Sequence, residues 1–189
     1  MTDPRWPDAR LVEVVRAIAR PEVVVQLRDR TERSDESLLP LAEALREATA
    51  RGGAKLVVNR RLALARRVSA DGLHAPAGEL HRAASFAWRS APSHDDDEVR
   101  AALAAGATAV LVSPIFATPD KAPPRGVRAL RAARALAPRA TLVALGGVDA
   151  SNATECYEAG ATGVAVVRAL LDAPDPAGVA SALLVRSRA

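Results

Sequence analysis

The strongest restriction on the fold of this chain is a repeated unit in which a short apolar run precedes an amphipathic helical segment and a glycine. Several of the apolar runs do not alternate with polar residues, which is typical of parallel strands buried on both faces. Repeated units of this kind predict a parallel sheet with right-handed crossovers. The strand candidates are residues 22–28, 54–59, 70–74, 84–89, 107–113, 140–146 and 163–167.

The segments between these runs carry helix boundaries. Ser34 is a candidate N-cap for a helical segment that ends at Gly52 and Gly53. Acidic residues 95–98 stand in the first turn of another segment, where they interact favourably with the helix dipole. Short strand–helix units without a GxGxxG or GxxxxGKS/T motif favour a (β/α)8 TIM barrel over a nucleotide-binding open sheet. The expected fold class is therefore α/β.

The predicted barrel lacks most of its first strand. Residues 8–19 have a helical pattern, so residues 1–4 would be only the tail of a strand that precedes this helix. A gap would leave exposed strand edges on both sides, and such edges favour aggregation. We therefore expect a start upstream of Met1, and a single barrel domain over residues 1–189.

Composition and charge argue against several classes of protein. The formal net charge is +4, but basic and acidic residues are interleaved without a basic block, so no nucleic-acid partner is expected. No apolar run is long enough to span a bilayer, and the polar N-terminal segment has no signal-peptide core. We therefore expect a cytoplasmic protein without a membrane partner, and leave a homo-oligomer open. Cys156 is the only cysteine and cannot form an intramolecular disulfide.

In a TIM barrel the functional residues lie where the strands end. Gln26, Arg28 and Arg30 alternate at the end of the first apolar run, so their side chains share a face. Asn59 and His74 end the next two runs. Guanidinium groups and an asparagine amide at one mouth predict a binding site for a pyrophosphate.

The later strand ends predict a second anion site. Residues 113–121 include Lys121, one of only two lysines in an arginine-rich chain, which indicates that a compact ammonium group is required there. Gly146 and Gly147 would let main-chain N–H groups approach a phosphate, and Arg168 follows the last run. Two anion sites in one mouth predict two phosphorylated substrates or one long one.

A series of short motifs marks these strand ends. They are QLRDR at 26–30, NRR at 59–61, ADGLH at 70–74, SPIFATPDK at 113–121, RGV at 125–127, ALGGV at 144–148 and GVAVV at 163–167. Their order and spacing resemble the thiamine phosphate synthase/TenI family over nearly the whole chain. The resemblance implies a transferase that condenses hydroxymethylpyrimidine pyrophosphate with thiazole phosphate to give thiamine phosphate and pyrophosphate. In such synthases Mg²⁺ assists the departure of pyrophosphate, and the thiazole nitrogen then attacks.

The resemblance also implies roles for individual residues. The residues implied to contact the pyrimidine pyrophosphate are Gln26, Arg28, Arg30, Asn59 and Lys121. The residues implied to contact the thiazole phosphate are Thr118, Gly147, Val167 and Arg168. The implied catalytic residues are Lys121, Arg28 and His74. Glu79 matches the position of a Mg²⁺-binding aspartate, and Asp120 is a second candidate ligand.

Arg60 is the main departure from the family pattern. Synthases carry a Mg²⁺-binding aspartate directly after the asparagine that Asn59 matches, and an arginine offers no oxygen ligand. The sequence therefore indicates a weakened Mg²⁺ site or, as the less favoured alternative, an Arg60 guanidinium that neutralises the pyrophosphate in place of metal. A TenI-like thiazole tautomerase and a non-catalytic thiamine-phosphate-binding relative stay open beside the synthase. So does the question of whether Ser90 or Ser93 faces the site.

Overall fold

The computed structural model describes residues 1–118 and 122–184, which contain a sheet of seven parallel strands in chain order. The strands are β1 (Val24–Leu27), β2 (Lys55–Asn59), β3 (Gly72–His74), β4 (Trp88–Ser93), β5 (Ala109–Val112), β6 (Thr141–Leu145) and β7 (Gly163–Ala165). Residues of β1, β5 and β7 line the same interior cavity, so the sheet curls in the manner of a TIM barrel. The predicted α/β class and parallel strand order are confirmed.

Helices connect the strands and cover the outer face of the sheet. They are α1 (Asp8–Ile18), α2 (Asp35–Gly52), α3 (Leu62–Arg67), α4 (Asp96–Ala104), α5 (Arg128–Leu136), α6 (Ala153–Glu158), α7 (Arg168–Leu171) and α8 (Pro176–Leu184), with a 3-10 helix at Ala77–Ala83. The Ser34 side chain accepts a hydrogen bond from the Ser37 N–H, and Gly53 ends α2 in a left-handed conformation, as predicted. In the described ranges, no helix has both the length and the apolar character needed to cross a membrane.

The apolar core lies between the sheet and these helices. Every residue of β5 is buried, and Leu38 and Leu45 of α2 are completely inaccessible to solvent. Burial of each large aliphatic side chain contributes about 1.5–3 kcal/mol, so packing on both faces dominates the stability of the strands. This packing holds the carboxyl ends of the strands together at one rim of the curled sheet.

The sheet of the described residues is open between β1 and β7, and Met1 and Thr2 lie in this opening. The Thr2 N–H donates to the Gln26 carbonyl oxygen at 2.9 Å, and the Met1 amino group donates to the Val166 carbonyl oxygen at 3.1 Å. The first two residues therefore join the edges at the carboxyl-terminal rim, as expected of the tail of a strand.

The strand predicted at residues 84–89 exists, but its predicted bounds were wrong, because β4 spans Trp88–Ser93. The chain continues from the 3-10 helix into a turn in which the Phe86 N–H donates to the Ala83 carbonyl oxygen, and β4 begins only at Trp88. Pairing with β3 sets this start, because Gly72 lies opposite Trp88 and a Cβ at Gly72 would collide with the Trp88 backbone. Residues 84–87 precede this contact, so the local apolar pattern placed the strand too early in the chain.

Candidate active site

A cavity of about 1250 Å³ opens at the carboxyl ends of the strands. The predicted site residues that line it are Gln26, Arg28, Arg30, Asn59, His74, Thr118, Gly147, Val167 and Arg168. Glu79 lies beside the rim and is not among the lining residues. Asp120 and Lys121 lie outside the described residues, so their predicted roles stay predictions. The curled sheet thus brings residues from widely separated parts of the chain to one mouth.

Arg28 and Arg30 supply positive charge without an acidic partner. Within residues 1–118 and 122–184, neither guanidinium group forms a hydrogen bond or an ion pair. Burial, and then repulsion from Arg30, lower the pKa of Arg28, while the Asp3 carboxylate opposes that shift. Asp3 is itself paired with Arg5, so two neighbouring guanidinium groups without an ion pair of their own form a site for a multiply charged anion such as pyrophosphate.

Thr2 holds the backbone that carries Arg28, and sequence reasoning missed this role. The Arg28 N–H donates to Thr2 Oγ1 at 2.8 Å, and the Thr2 hydroxyl donates to the Arg28 carbonyl oxygen at 3.0 Å. Thr2 is only 3% exposed, so these bonds are shielded from water. Both polar groups of the arginine main chain are therefore satisfied by one side chain from the opening of the sheet.

Gln26 and Asn59 contribute side-chain amides to the cavity that Arg28 and Arg30 line. Gln26 is buried, and its Oε1 atom has no hydrogen-bond partner in the described part of the chain. Asn59 ends β2 and lines the same cavity. A buried, unsatisfied carbonyl oxygen is costly, so a ligand that donates a hydrogen bond, such as an amino group on a heterocycle, fits this position.

His74 is a neutral imidazole at the floor of the cavity. Its Nδ1 atom lies 3.0 Å from Ser90 Oγ. Burial, followed by the charges of Arg28 and Arg60, lowers the pKa of His74 to about 4. The imidazole therefore orients neighbours and ligand through hydrogen bonds at neutral pH rather than by a positive charge.

The structure distinguishes the two serines that the sequence left open. Ser90 is buried beneath the cavity and bonds His74, which lines it. The Ser93 hydroxyl instead donates to the Asp95 carbonyl oxygen at 2.8 Å, at the start of α4. Ser90 is thus the serine connected to the site.

The loop after β6 forms the opposite side of the mouth. Gly147 has φ of 64°, and a Cβ there would lie 2.6 Å from the Ala117 carbonyl oxygen. Close packing against the loop after β5 therefore requires this glycine, a reason that the sequence did not reveal. In the described residues, the N–H groups of Gly147, Val148 and Val167 donate to no protein atom. These free donors form a cradle suited to a phosphate.

Arg168 and Thr118 complete this second anion site. Arg168 is the first residue of α7, and its guanidinium group forms no hydrogen bond or ion pair with the described residues. Thr118 lines the cavity from the loop after β5, and its hydroxyl donates to the Phe116 carbonyl oxygen at 3.3 Å. The cavity therefore has two cationic positions, one beside β1 and one beside β7.

Among the described residues, Glu79 is not a free carboxylate at the position where the family implies a Mg²⁺ ligand. Glu79 accepts a hydrogen bond from Arg60 at 3.0 Å and lies 3.6 Å from Arg82. The described residues contain no group of three histidine, cysteine or acidic side chains that could hold a metal. Mg²⁺ prefers several oxygen ligands, whereas this carboxylate is already engaged by guanidinium groups.

The fold and the cavity define a TIM-barrel-like protein whose mouth is built to bind phosphorylated ligands at the carboxyl ends of its strands. The model of one family, TMP-TENI, described as thiamine monophosphate synthase, matches residues 1–170. The chain belongs to this family.

Individual relatives agree with the family match. The chain is 38% identical over 196 residues to a thiamine-phosphate synthase of Salinispora arenicola, with 97% of this chain and 93% of that protein covered. It is 37% identical to a thiamine-phosphate synthase of Thermosynechococcus vestitus, covering 95% of this chain but 53% of that longer protein. The solved thiamine phosphate pyrophosphorylase of Pyrococcus furiosus superposes with a TM-score of 0.83 at 26% identity, covering 96% of this chain and 90% of that one.

Proposed function

We propose that this protein is a thiamine-phosphate synthase-type transferase. It condenses hydroxymethylpyrimidine pyrophosphate with thiazole phosphate, and the products are thiamine phosphate and pyrophosphate. The observation that carries the proposal is the pair of anion sites in one cavity, with Arg28 and Arg30 on one side and the cradle near Gly147 and Arg168 on the other. Two phosphorylated substrates would thus be held with their heterocycles between the two sites.

The proposed reaction is a substitution at the methylene carbon of the pyrimidine. The bond between this carbon and the pyrophosphate oxygen breaks, and its electron pair leaves with pyrophosphate. The thiazole nitrogen then donates its lone pair to the same carbon. Arg28 and Arg30 would stabilise the charge that develops on the leaving group, because preorganised cations act strongly where charge accumulates.

The Gln26 amide is suited to orient the pyrimidine, and the neutral His74 imidazole is compatible with a substitution in which no proton moves. Gln26 Oε1, buried and unsatisfied among the described residues, would accept a hydrogen bond from the amino group of the pyrimidine. No proton has to move during the substitution, and a neutral His74 is consistent with this. Lys121 belongs to the same proposal as a further contact to the pyrophosphate.

The curled sheet would be a (β/α)8 barrel in which Met1 and Thr2 hold the place of the first strand. The chain would act as one domain in the cytoplasm on small phosphorylated substrates.

Incubation of the purified protein with both substrates tests the function. We expect thiamine phosphate and pyrophosphate to appear in equal amounts when Mg²⁺ is supplied. Absence of product at enzyme concentrations comparable to those of the substrates, with folding verified by circular dichroism, would contradict a synthase.

A TenI-like thiazole tautomerase is the second candidate, and the Arg60–Glu79 contact favours it because it occupies the carboxylate implied to bind Mg²⁺. The cradle near Gly147 and Arg168 would serve a thiazole carboxylate phosphate equally well. An increase in ultraviolet absorbance on aromatisation of this substrate, without thiamine phosphate synthesis, would select the tautomerase. Calorimetric binding of thiamine phosphate by a protein inactive in both assays would instead indicate the non-catalytic relative.

A further inference from the structure

We infer that the Arg60 guanidinium takes the place of a divalent metal in this site and binds the pyrophosphate group directly, so that pyrophosphate binds without Mg²⁺. This inference rests on the proposed function and deepens it, because it names the form in which the anion is bound. Mg²⁺ needs oxygen ligands, whereas arginine side chains line much of the rim, and the described residues contain no group of three histidine, cysteine or acidic side chains that could hold a metal.

The backbone at Arg60 is held in an unusual conformation at the end of β2. Arg60 has φ of 63°, a left-handed conformation that is strained for a residue other than glycine. Its N–H donates to the His74 carbonyl oxygen at 2.8 Å, and its carbonyl oxygen accepts from the Leu62 N–H at 3.0 Å. The two bonds hold this strained residue at the rim, between the ends of β2 and β3.

The Arg60 guanidinium is paired with the Glu79 carboxylate and retains N–H groups that can bind an anion. Its Nη2 atom donates to Glu79 Oε1 at 3.0 Å, the only side-chain hydrogen bond that it makes within the described residues. The remaining N–H groups of the guanidinium have no protein partner there, and the side chain is 58% exposed and lines the cavity. Glu79 therefore orients Arg60 and is itself neutralised by it.

Arg60 and Arg28 act on the same part of the cavity. Both charges contribute to the lowered pKa of His74, so they lie near one imidazole although they come from different strands. The arginines that line the cavity are Arg5, Arg28, Arg30, Arg60, Arg61 and Arg168, and the lining aspartates are Asp3, Asp29, Asp149 and Asp172.

The acidic side chains do not cancel this positive charge. Asp3 is paired with Arg5, Asp29 lies 3.5 Å from Arg33, and Arg61 is paired with Asp35, so these charges are largely neutralised. Asp149 and Asp172 belong to the loops after β6 and α7, whereas Arg28, Arg30 and Arg60 follow β1 and β2. On the side of the mouth beside β1 and β2, these guanidinium groups favour a pyrophosphate over a free Mg²⁺ ion. A guanidinium also matches the spacing of phosphate oxygens in a bidentate contact, so it can replace the charge and the orientation that a metal would supply.

Calorimetric titration of the protein with inorganic pyrophosphate tests this inference. One titration is made in buffer with a chelator, and a second is made with millimolar Mg²⁺. We expect pyrophosphate to bind at least as tightly with the chelator as with Mg²⁺, because Mg²⁺ complexes pyrophosphate in solution and competes with the guanidinium groups for its oxygens. Binding alone is measured, so the result does not depend on turnover.

Two variants assign the effect to Arg60. Arg60→Gly removes the guanidinium at a position where φ of 63° favours glycine, so the variant should fold at least as well as the parent. We expect it to weaken metal-free pyrophosphate binding at least tenfold. Arg82→Ala is the matched control, because Arg82 also contacts Glu79 but does not line the cavity, and its dissociation constant should not change.

Three other outcomes of these titrations would each reject a specific claim. Binding that needs Mg²⁺ would reject the replacement of metal and leave the synthase proposal standing. Metal-free binding that survives in Arg60→Gly, or falls equally in Arg82→Ala, would reject the role of Arg60. Failure of pyrophosphate to bind in either buffer would reject both the inference and the pyrophosphate site on which the proposed function rests.

Discussion

His74 Nδ1 lies 3.0 Å from Ser90 Oγ, and both side chains are buried directly beneath the arginines at the rim of the cavity. The contact joins the ends of β3 and the middle of β4, which pair in register at these two residues. The hydrogen bond and the surrounding packing hold the His74 ring in one orientation, near the charges of Arg28 and Arg60.

The first prediction concerns stability at acid pH. The pKa of folded His74 is about 4, below its ordinary value of 6.5, so between these values the unfolded chain binds the additional proton. Its contribution to stability is therefore complete above pH 6.5 and is lost as the pH falls towards 4. We expect the wild type to lose about 3 kcal/mol more than His74→Asn over this range.

Urea unfolding of both proteins at about pH 7 and pH 4.5 measures this difference. The comparison uses only the change with pH in each protein, so a constant cost of the substitution does not affect it. Parallel losses in the two proteins would show that His74 does not titrate as its burial requires.

The second prediction concerns the support of Arg28 by Thr2. Thr2→Val keeps the shape of the side chain but leaves the Arg28 N–H and carbonyl groups without their partner. We expect the free energy of unfolding to fall by about 1–3 kcal/mol and the affinity for pyrophosphate to fall several-fold. Thr154→Val, at a helical residue whose hydroxyl makes no hydrogen bond within the described residues, should change neither quantity. A stable Thr2→Val protein with normal affinity would contradict the supporting role.

The third prediction separates backbone strain from close packing at Gly147. Gly147→Ala introduces both a left-handed alanine and a Cβ 2.6 Å from the Ala117 carbonyl oxygen. Gly106→Ala introduces a left-handed alanine, with φ of 83°, into open space. We expect losses of about 3 kcal/mol or more for the first variant and about 1 kcal/mol for the second.

The same two variants should differ in ligand binding. Displacement of the loop after β5 by Gly147→Ala should weaken binding of thiazole phosphate, whereas Gly106→Ala should leave it unchanged. Equal stability of the two variants in urea unfolding would show that the loop yields to the added methyl group without cost.

The fourth prediction concerns the separation of the two anion sites. Arg168→Gln removes the guanidinium beside β7, and Arg28→Gln removes one beside β1. We expect the first variant to weaken binding of thiazole phosphate about tenfold with pyrophosphate binding unchanged, and the second to show the reverse pattern. Arg100→Gln, at an exposed residue paired with Asp97, serves as the control for a lost surface charge.

Calorimetry with each ligand in turn gives the two dissociation constants for every variant. If both arginine variants lost both ligands equally, the cavity would contain a single shared anion site rather than two.

Much of the fold could be predicted from local features of the sequence. Apolar runs located six of the seven strands, because burial on both faces leaves a continuous hydrophobic signature. The alternation of Gln26 and Arg28 placed both on one face, and the structure has both lining the cavity. The exception was β4, whose start depends on pairing with Gly72 of another strand rather than on the composition of its own segment.

The sequence alone determined the order of the strands and the chemical character of their ends, since strand periodicity, helix caps and charged residues are properties of short segments. The three-dimensional arrangement determined which groups meet. Thr2 reaches Arg28, Glu79 engages Arg60, and the loop after β5 closes over Gly147. These contacts join residues far apart in the chain, and their geometry follows from strand register and from the curl of the sheet, which no local pattern encodes.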